Sequence, residues 1–248
     1  IAKNRDIGIL VSSSNNLILK NVDFTGSGRH LSESALRLTA VTHDPGGMDI
    51  ANNTFVSNPY AVYLDRTNDL VITDDPALPG ANFVLDETKD DWQTVIFPFY
   101  LQGTKNILFD GAKFNRASLA SGTAITSTNS NTILNENLVI QNSLINGWWT
   151  GVNLTQLIDL QLLNNDFTNS GRDHDEPAIN INTVYEETLP GGLLIDNNTF
   201  STTTNNTVLR INAARDLVIS KEIGGVVPNV NIELANITTP TVNTNPVI

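Results

Sequence analysis

The densest group of ionisable side chains is the run Arg172-Asp173-His174-Asp175-Glu176. Asp173, Asp175 and Glu176 offer the oxygen ligands that Ca²⁺ takes. His174 and Arg172 beside them have the chemistry for proton abstraction or charge stabilisation. With Arg37 and Arg210 they make up the candidate catalytic set. A solvated charged loop accounts for the same run, because acids flanking one histidine are common in loops. A second chemistry is contact with sugar rings. Trp148 and Trp149, in Asn146-Gly-Trp-Trp-Thr-Gly151, could stack on a sugar or close a core edge. Neighbours on an extended segment diverge, so one of the two is expected to face solvent. Tyr63, Asn153 and Asn180 complete the candidate ligand-binding set. The pairs Asp74-Asp75, Asp90-Asp91 and His43-Asp44 sit in turn-rich stretches, and solvated turns explain them.

Such side chains need a scaffold, and the chain announces one. A six-residue unit (apolar, any, Asn or Gly, any, any, large apolar) recurs seven times. Its third positions are Asn21, Asn52, Gly80, Gly111, Asn142, Asn164 and Asn197, and its last are Phe24, Phe55, Phe83, Phe114, Ile145, Phe167 and Phe200. The last positions step by 31, 28, 31, 31, 22 and 33 residues, which is the mark of a solenoid. Asn and Gly enter the left-handed backbone region at least cost, so each third position reads as a one-residue corner between strands. Stacked corners would form an Asn ladder, interrupted at Gly80 and Gly111. Asn52 and Asn197 also begin N-x-T sequons; as corners they are expected to be buried and to serve the repeat rather than a glycan.

A strand with period-two alternation follows each corner unit. Its expected inward pairs are Leu36/Leu38, Val62/Leu64, Phe97/Phe99, Val152/Leu154, Ile179/Ile181 and Leu209/Ile211, and Ser127 is a polar exception beside Ile125. Another strand precedes each corner, as in Leu17–Leu19 or Leu193–Ile195. The expected fold is therefore all-β: a right-handed parallel β-helix of about eight coils of roughly 30 residues, three short strands to a coil. Residues 1–236 form this single domain, and 237–248 are a Thr/Asn/Pro-rich exit segment. An antiparallel sandwich also yields many short strands. It does not require the same corner chemistry at the same offset. Residues 1–6 are too short for the polar cap that a solenoid end needs, so a longer parent or a trimmed chain is expected.

Units such as Ile195-Asp-Asn197-Asn-Thr-Phe200 resemble the short repeats of the pectate-lyase-like superfamily of right-handed parallel β-helices. The resemblance covers about residues 7–235. It implies the fold and leaves the activity open, since that superfamily holds lyases, glycosidases, tailspikes, adhesins and surface-layer proteins. The catalytic signatures of its pectate lyases and polygalacturonases are absent from this sequence.

Composition narrows the classes. Fourteen basic against 26 acidic residues give a net charge of −12, which argues against nucleic acid. It also disfavours long-range attraction to a polyanion. No cysteine means no disulfide or thiolate metal site, and no apolar run is long enough to span a membrane. Ca²⁺ at 173–176 is the one cofactor the residues suggest. The expected role is a structural or adhesive module, extracellular or at the cell surface, with an outer face able to bind a polysaccharide or surface glycan. A uronate polysaccharide lyase and an end-to-end self-associating subunit of a filament or surface layer are the alternatives.

Overall fold

The computed structural model describes residues 4–42, 48–51, 53–55, 58, 60–73, 83–85, 98–127, 133–171, 175–184, 192–200, 207–212, 214–215, 217–220, 231–234 and 237–238. The protein is all-β. Seventeen strands pair in parallel into one curled sheet, and the short 3₁₀ turn Leu31–Glu33 is the helical element among the described residues.

The strands fall into three rows because alternation buries one face and each turn brings the chain back beside its previous pass. The first row runs through Ile9–Ser12, Leu36–Thr39, Val62–Asp65, Phe99–Gln102, residues 125–127, residues 152–154, Ile179–Val184, Thr207–Ile211 and Asn231–Leu234. The second runs from Ile18–Lys20 through Met48–Ala51, Asn68–Thr73, Lys105–Asp110, Asn135–Gln141, residues 157–163 and Leu193–Asp196 to Leu217–Ser220. The third is short: Phe83–Leu85, residues 113–115 and residues 144–146, continued by single bridges at Asp166 and Thr199.

The core lies between the rows. Leu36, Leu38, Leu64, Leu101, Val152, Leu154, Ile179, Ile181, Leu209 and Ile211 have no exposed surface. One expected pair shifts by two residues. Val62 and Leu64 register with Phe99 and Leu101, not with Phe97 and Phe99; Phe97 lies outside the described residues. Alternation identifies the buried face, but a two-residue slip preserves that face, so the pattern leaves the register open. Ser127 does point inward, and its Oγ donates to Thr155 O at 3.1 Å and accepts from Thr155 N at 2.9 Å.

The corners explain the repeat, with one correction. Asn21, Gly111, Asn142, Asn164 and Asn197 all have φ between 51° and 72°, the left-handed region expected of them. Asn52 and Gly80 lie outside the described residues. The four described corner asparagines are exposed, and this includes the sequon residue Asn197, which was expected to be buried. A left-handed residue turns its own side chain outward and its successor's inward. The buried ladder is therefore formed one residue later, by Asn53, Ser143, Asn165 and Asn198. Asn198 Oδ1 accepts from Asn165 N and Asn165 Nδ2, both at 3.0 Å, and Asn165 Oδ1 accepts from Ser143 N at 3.0 Å. Each inner amide also donates to the carbonyl of a residue on the preceding pass: Asn53 to Leu19, Asn165 to Ile140, Asn198 to Leu162. An outer ladder exists as well, with Asn197 Nδ2 on Asn164 Oδ1 at 2.8 Å and Asn142 Nδ2 on Asp110 Oδ1 at 2.7 Å.

Just past the corner, the third residue after the large apolar position repeats the same service. Asn58 Nδ2 donates to Phe24 O at 2.7 Å, Trp148 Nε1 to Phe114 O at 3.1 Å and Ser170 Oγ to Ile145 O at 2.7 Å. Three different donors thus satisfy the same carbonyl of the preceding pass. Phenylalanines stack beneath them, Phe24 on Phe55 at 4.7 Å and Phe167 on Phe200 at 5.3 Å.

The two ladders predict opposite responses to mutation. Asn198→Ala strands buried N–H groups of Asn165 and should cost about 1–3 kcal/mol in urea unfolding. Asn197→Gly keeps the left-handed corner and should fall within about 0.5 kcal/mol of the parent. Equal losses for the two variants would refute the inner ladder's role.

Candidate functional site

The outward positions of the first row form one continuous column. Arg37 registers with Tyr63, Tyr63 with Tyr100, Tyr100 with Thr126, Thr126 with Asn153, Asn153 with Asn180 and Asn180 with Arg210. Each lies between two inward residues, apolar in every case but Ser127 beside Thr126, so strand pleating turns it out. Five of the residues singled out from sequence, Arg37, Tyr63, Asn153, Asn180 and Arg210, therefore share one face. Six strand spacings of about 4.8 Å separate Arg37 from Arg210, roughly 29 Å. The two arginines share a face but not a reaction centre.

The Arg37 end is the most organised. Its guanidinium carbon lies 4.8 Å from the centroid of the Tyr63 ring, and its Nη1 donates to Ser32 O at 3.0 Å. Tyr63 is only 8% exposed, so its ring is a support more than an open surface. Its hydroxyl donates to Gln102 Oε1 at 2.6 Å, and Tyr100 meets it edge-on at 5.3 Å. Burial raises the Tyr63 phenol above its ordinary 10.0; the Asp65 carboxylate adds to this and the Arg37 cation opposes it. Burial also raises Tyr60. Tyr100 and Gln102 escape sequence reasoning because the expected inward pair Phe97/Phe99 ends short of them, whereas the strand runs Phe99–Gln102.

Farther along, Asn180 Nδ2 donates to Asn153 Oδ1 at 3.2 Å, leaving Asn180 Oδ1 buried without a donor. Arg210 Nη1 reaches Asp175 O at 3.5 Å, which brings the acidic loop to this end of the column. Arg172, Asp173 and His174 lie outside the described residues. Among the described residues no three His, Asp or Glu side chains are gathered as metal ligands. The Asp44, Asp74-Asp75 and Asp90-Asp91 stretches also fall outside them.

The two ends prove to be copies. Asp23-Phe-Thr-Gly-Ser-Gly-Arg29 and Asp166-Phe-Thr-Asn-Ser-Gly-Arg172 match at six of seven positions, 143 residues apart. Asp23 Oδ1 accepts from Thr25 N and Oγ1, as Asp166 Oδ1 does from Thr168 N and Oγ1. Gly28 and Gly171 have φ of 78° and 89°, and a Cβ there would lie 2.6 Å from Ala35 N and 2.9 Å from Ala178 N. Gly8 and Gly151, again 143 apart, would drive a Cβ against Ala35 O and Ala178 O. A column arginine docks on the carbonyl four residues past each loop glycine, Arg37 on Ser32 from the same pass and Arg210 on Asp175 from the next, while Asn180 stands where Arg37 does. The signal was in the sequence, but the copies are five passes apart and a search for single-pass periods passes over them.

Trp148 requires a correction. It is fully buried and its indole N–H is held by Phe114 O, so it belongs to the core and offers no ring to a ligand. Its position, third after Ile145, is the inward donor site that Asn58 and Ser170 occupy in other passes. Trp149, its neighbour, is half-buried. Among the described residues no helix is long and apolar enough to cross a membrane. Comparison with protein-family models, curated proteins and solved structures returns no match.

Trp148→Phe should lower stability by about 2–4 kcal/mol in denaturant, since it strands Phe114 O and opens a cavity; an unchanged midpoint would remove Trp148 from the core. The raised Tyr63 phenol gives a pH dependence. Folding favours the neutral form, so this contribution is complete below the unfolded-state pKa and is lost as pH rises through the higher folded-state value. Melting temperature should therefore decline as pH rises past the ordinary tyrosine value of about 10. Tyr63→Phe should make that decline shallower; identical slopes would contradict it.

Proposed function

We propose that the chain is a right-handed parallel β-helix of about eight coils of roughly 30 residues, three short strands to a coil, akin to the pectate-lyase-like superfamily. In this reading it works outside the cell or at the cell surface as a structural or adhesive module, and its outer face binds carbohydrate. The observation that carries the reading is the column from Arg37 to Arg210. It aligns tyrosine, threonine, asparagine and arginine side chains on one rigid row, so hydrogen-bonding groups recur at strand spacing. Sugars take flat aromatic contacts and paired donors and acceptors, which tyrosine and asparagine supply.

A lyase that draws on both Arg37 and the 172–176 loop is disfavoured by geometry. A base and a charge neutraliser must both reach one sugar unit, and the two ends of the column stand roughly 29 Å apart. A binding surface has no such requirement, because an extended polymer can touch widely separated positions.

The reading is tested by titrating the protein with a panel of neutral and acidic polysaccharides under calorimetry. Saturable binding is expected with at least one of them. Tyr100→Ala and Asn153→Ala should each weaken it about tenfold. Lack of binding across the panel by folded protein would sink the carbohydrate assignment.

A further inference from the structure

We propose that Arg37, laid on Tyr63 beside the Ser32 carbonyl, is an oxyanion seat that makes the outer face selective for acidic polymers. The proposal rests on the carbohydrate reading for the polymer, while the seat stands on its own geometry.

Three observations carry it. First, the guanidinium is held in place. It lies on the Tyr63 ring at 4.8 Å and is tied to Ser32 O at 3.0 Å, and the ring is itself fixed by Gln102 at 2.6 Å and Tyr100 at 5.3 Å. Second, no acid among the described residues pairs with it. In a chain with 26 acidic and 14 basic residues, Arg29, Arg66 and Lys105 pair with Asp6, Asp65 and Glu136, whereas Arg37 forms no ion pair among the described residues. Asp65, the acid whose field reaches Tyr63, is held by Arg66 at 3.1 and 3.2 Å. Third, among the described residues the guanidinium spends one N–H, on Ser32 O. The remaining donors form the planar fork that takes carboxylate or sulfate in a two-point contact.

The global charge of −12 opposes a polyanion at long range, but at physiological salt that field is screened beyond about 8 Å, so the local contact decides. The ligand group is therefore an oxyanion on an extended polymer, either a carboxylate or a sulfate ester.

The test titrates the whole chain at about 0.15 M salt with polygalacturonate, dextran sulfate and neutral dextran. Parent protein, Arg37→Ala, Arg37→Lys and Tyr63→Phe are compared after circular dichroism has shown each to be folded. At least one acidic polymer should bind the parent, and which one identifies the anion. Arg37→Ala should weaken that binding about tenfold. Arg37→Lys should restore only part of it, since an ammonium lacks the fork. Tyr63→Phe keeps the supporting ring but loses its tie to Gln102, and should weaken binding about threefold, less than Arg37→Ala does. Whatever affinity neutral dextran has should be the same for all four proteins. Equal binding of acidic polymer by the parent and Arg37→Ala overturns the seat, and so does binding of neutral dextran alone; both outcomes leave the carbohydrate reading intact. Failure of all three polymers to bind overturns the seat and counts against that reading too.

Discussion

Everything in this protein depends on satisfying the backbone where the chain turns. Within the rows, parallel neighbours pair backbone N–H with C=O. At the corners the ladder breaks, yet the peptide groups remain buried, and an unpartnered buried group costs about 1–3 kcal/mol. The chain answers with a side chain from the adjacent pass. Asn53, Asn165 and Asn198 reach the carbonyls of Leu19, Ile140 and Leu162, and a second set, Asn58, Trp148 and Ser170, reaches those of Phe24, Phe114 and Ile145. The residue type changes from pass to pass, and the donated hydrogen bond does not.

That requirement fixes the outer face. Since the inward residues and the corner donors are both set, the outward positions fall into line without further specification. The column from Arg37 to Arg210 is a by-product of the core, and the chain is free to vary its chemistry. It has placed two tyrosines and an arginine at one end, asparagines in the middle and a second arginine against the acidic loop at the other. Rigid parallel rows suit a binding surface better than a reaction centre, because they hold groups at fixed intervals and do not converge them on a point.

The parallel all-β class and the left-handed corners were legible in the repeat, since both follow from local chemistry. Asn and Gly at third positions meant a corner, and alternating apolar residues meant a buried face. What failed were matters of one or two residues. Burial was expected of Asn197 and falls on its successor Asn198, because the left-handed turn inverts which side chain points in. The pair Phe99/Leu101 replaces Phe97/Phe99, because a two-residue slip preserves alternation. Trp148 looked like a ligand platform because its aromatic surface suits either role, and only the third-after-corner rule seen in Asn58 and Ser170 reveals it as an inward donor. Of the candidate site, the sharing of one face by Arg37, Tyr63, Asn153, Asn180 and Arg210 followed from alternation. The pairing along the column needed the register, whereas the twin loops were legible in the sequence and were passed over because they recur at five passes, not one.

The twin loops give the molecule a graduated scale. Each arginine station is assembled from its own loop and the strands beside it, and the interval between stations is a whole number of strands. Duplicating or deleting one pass between Tyr100 and Asn153 would move the stations apart or together by about 4.8 Å and leave each internally unchanged. The distance between the two arginines is thus an inheritable length, adjustable in single increments, while the contacts within each station stay the same.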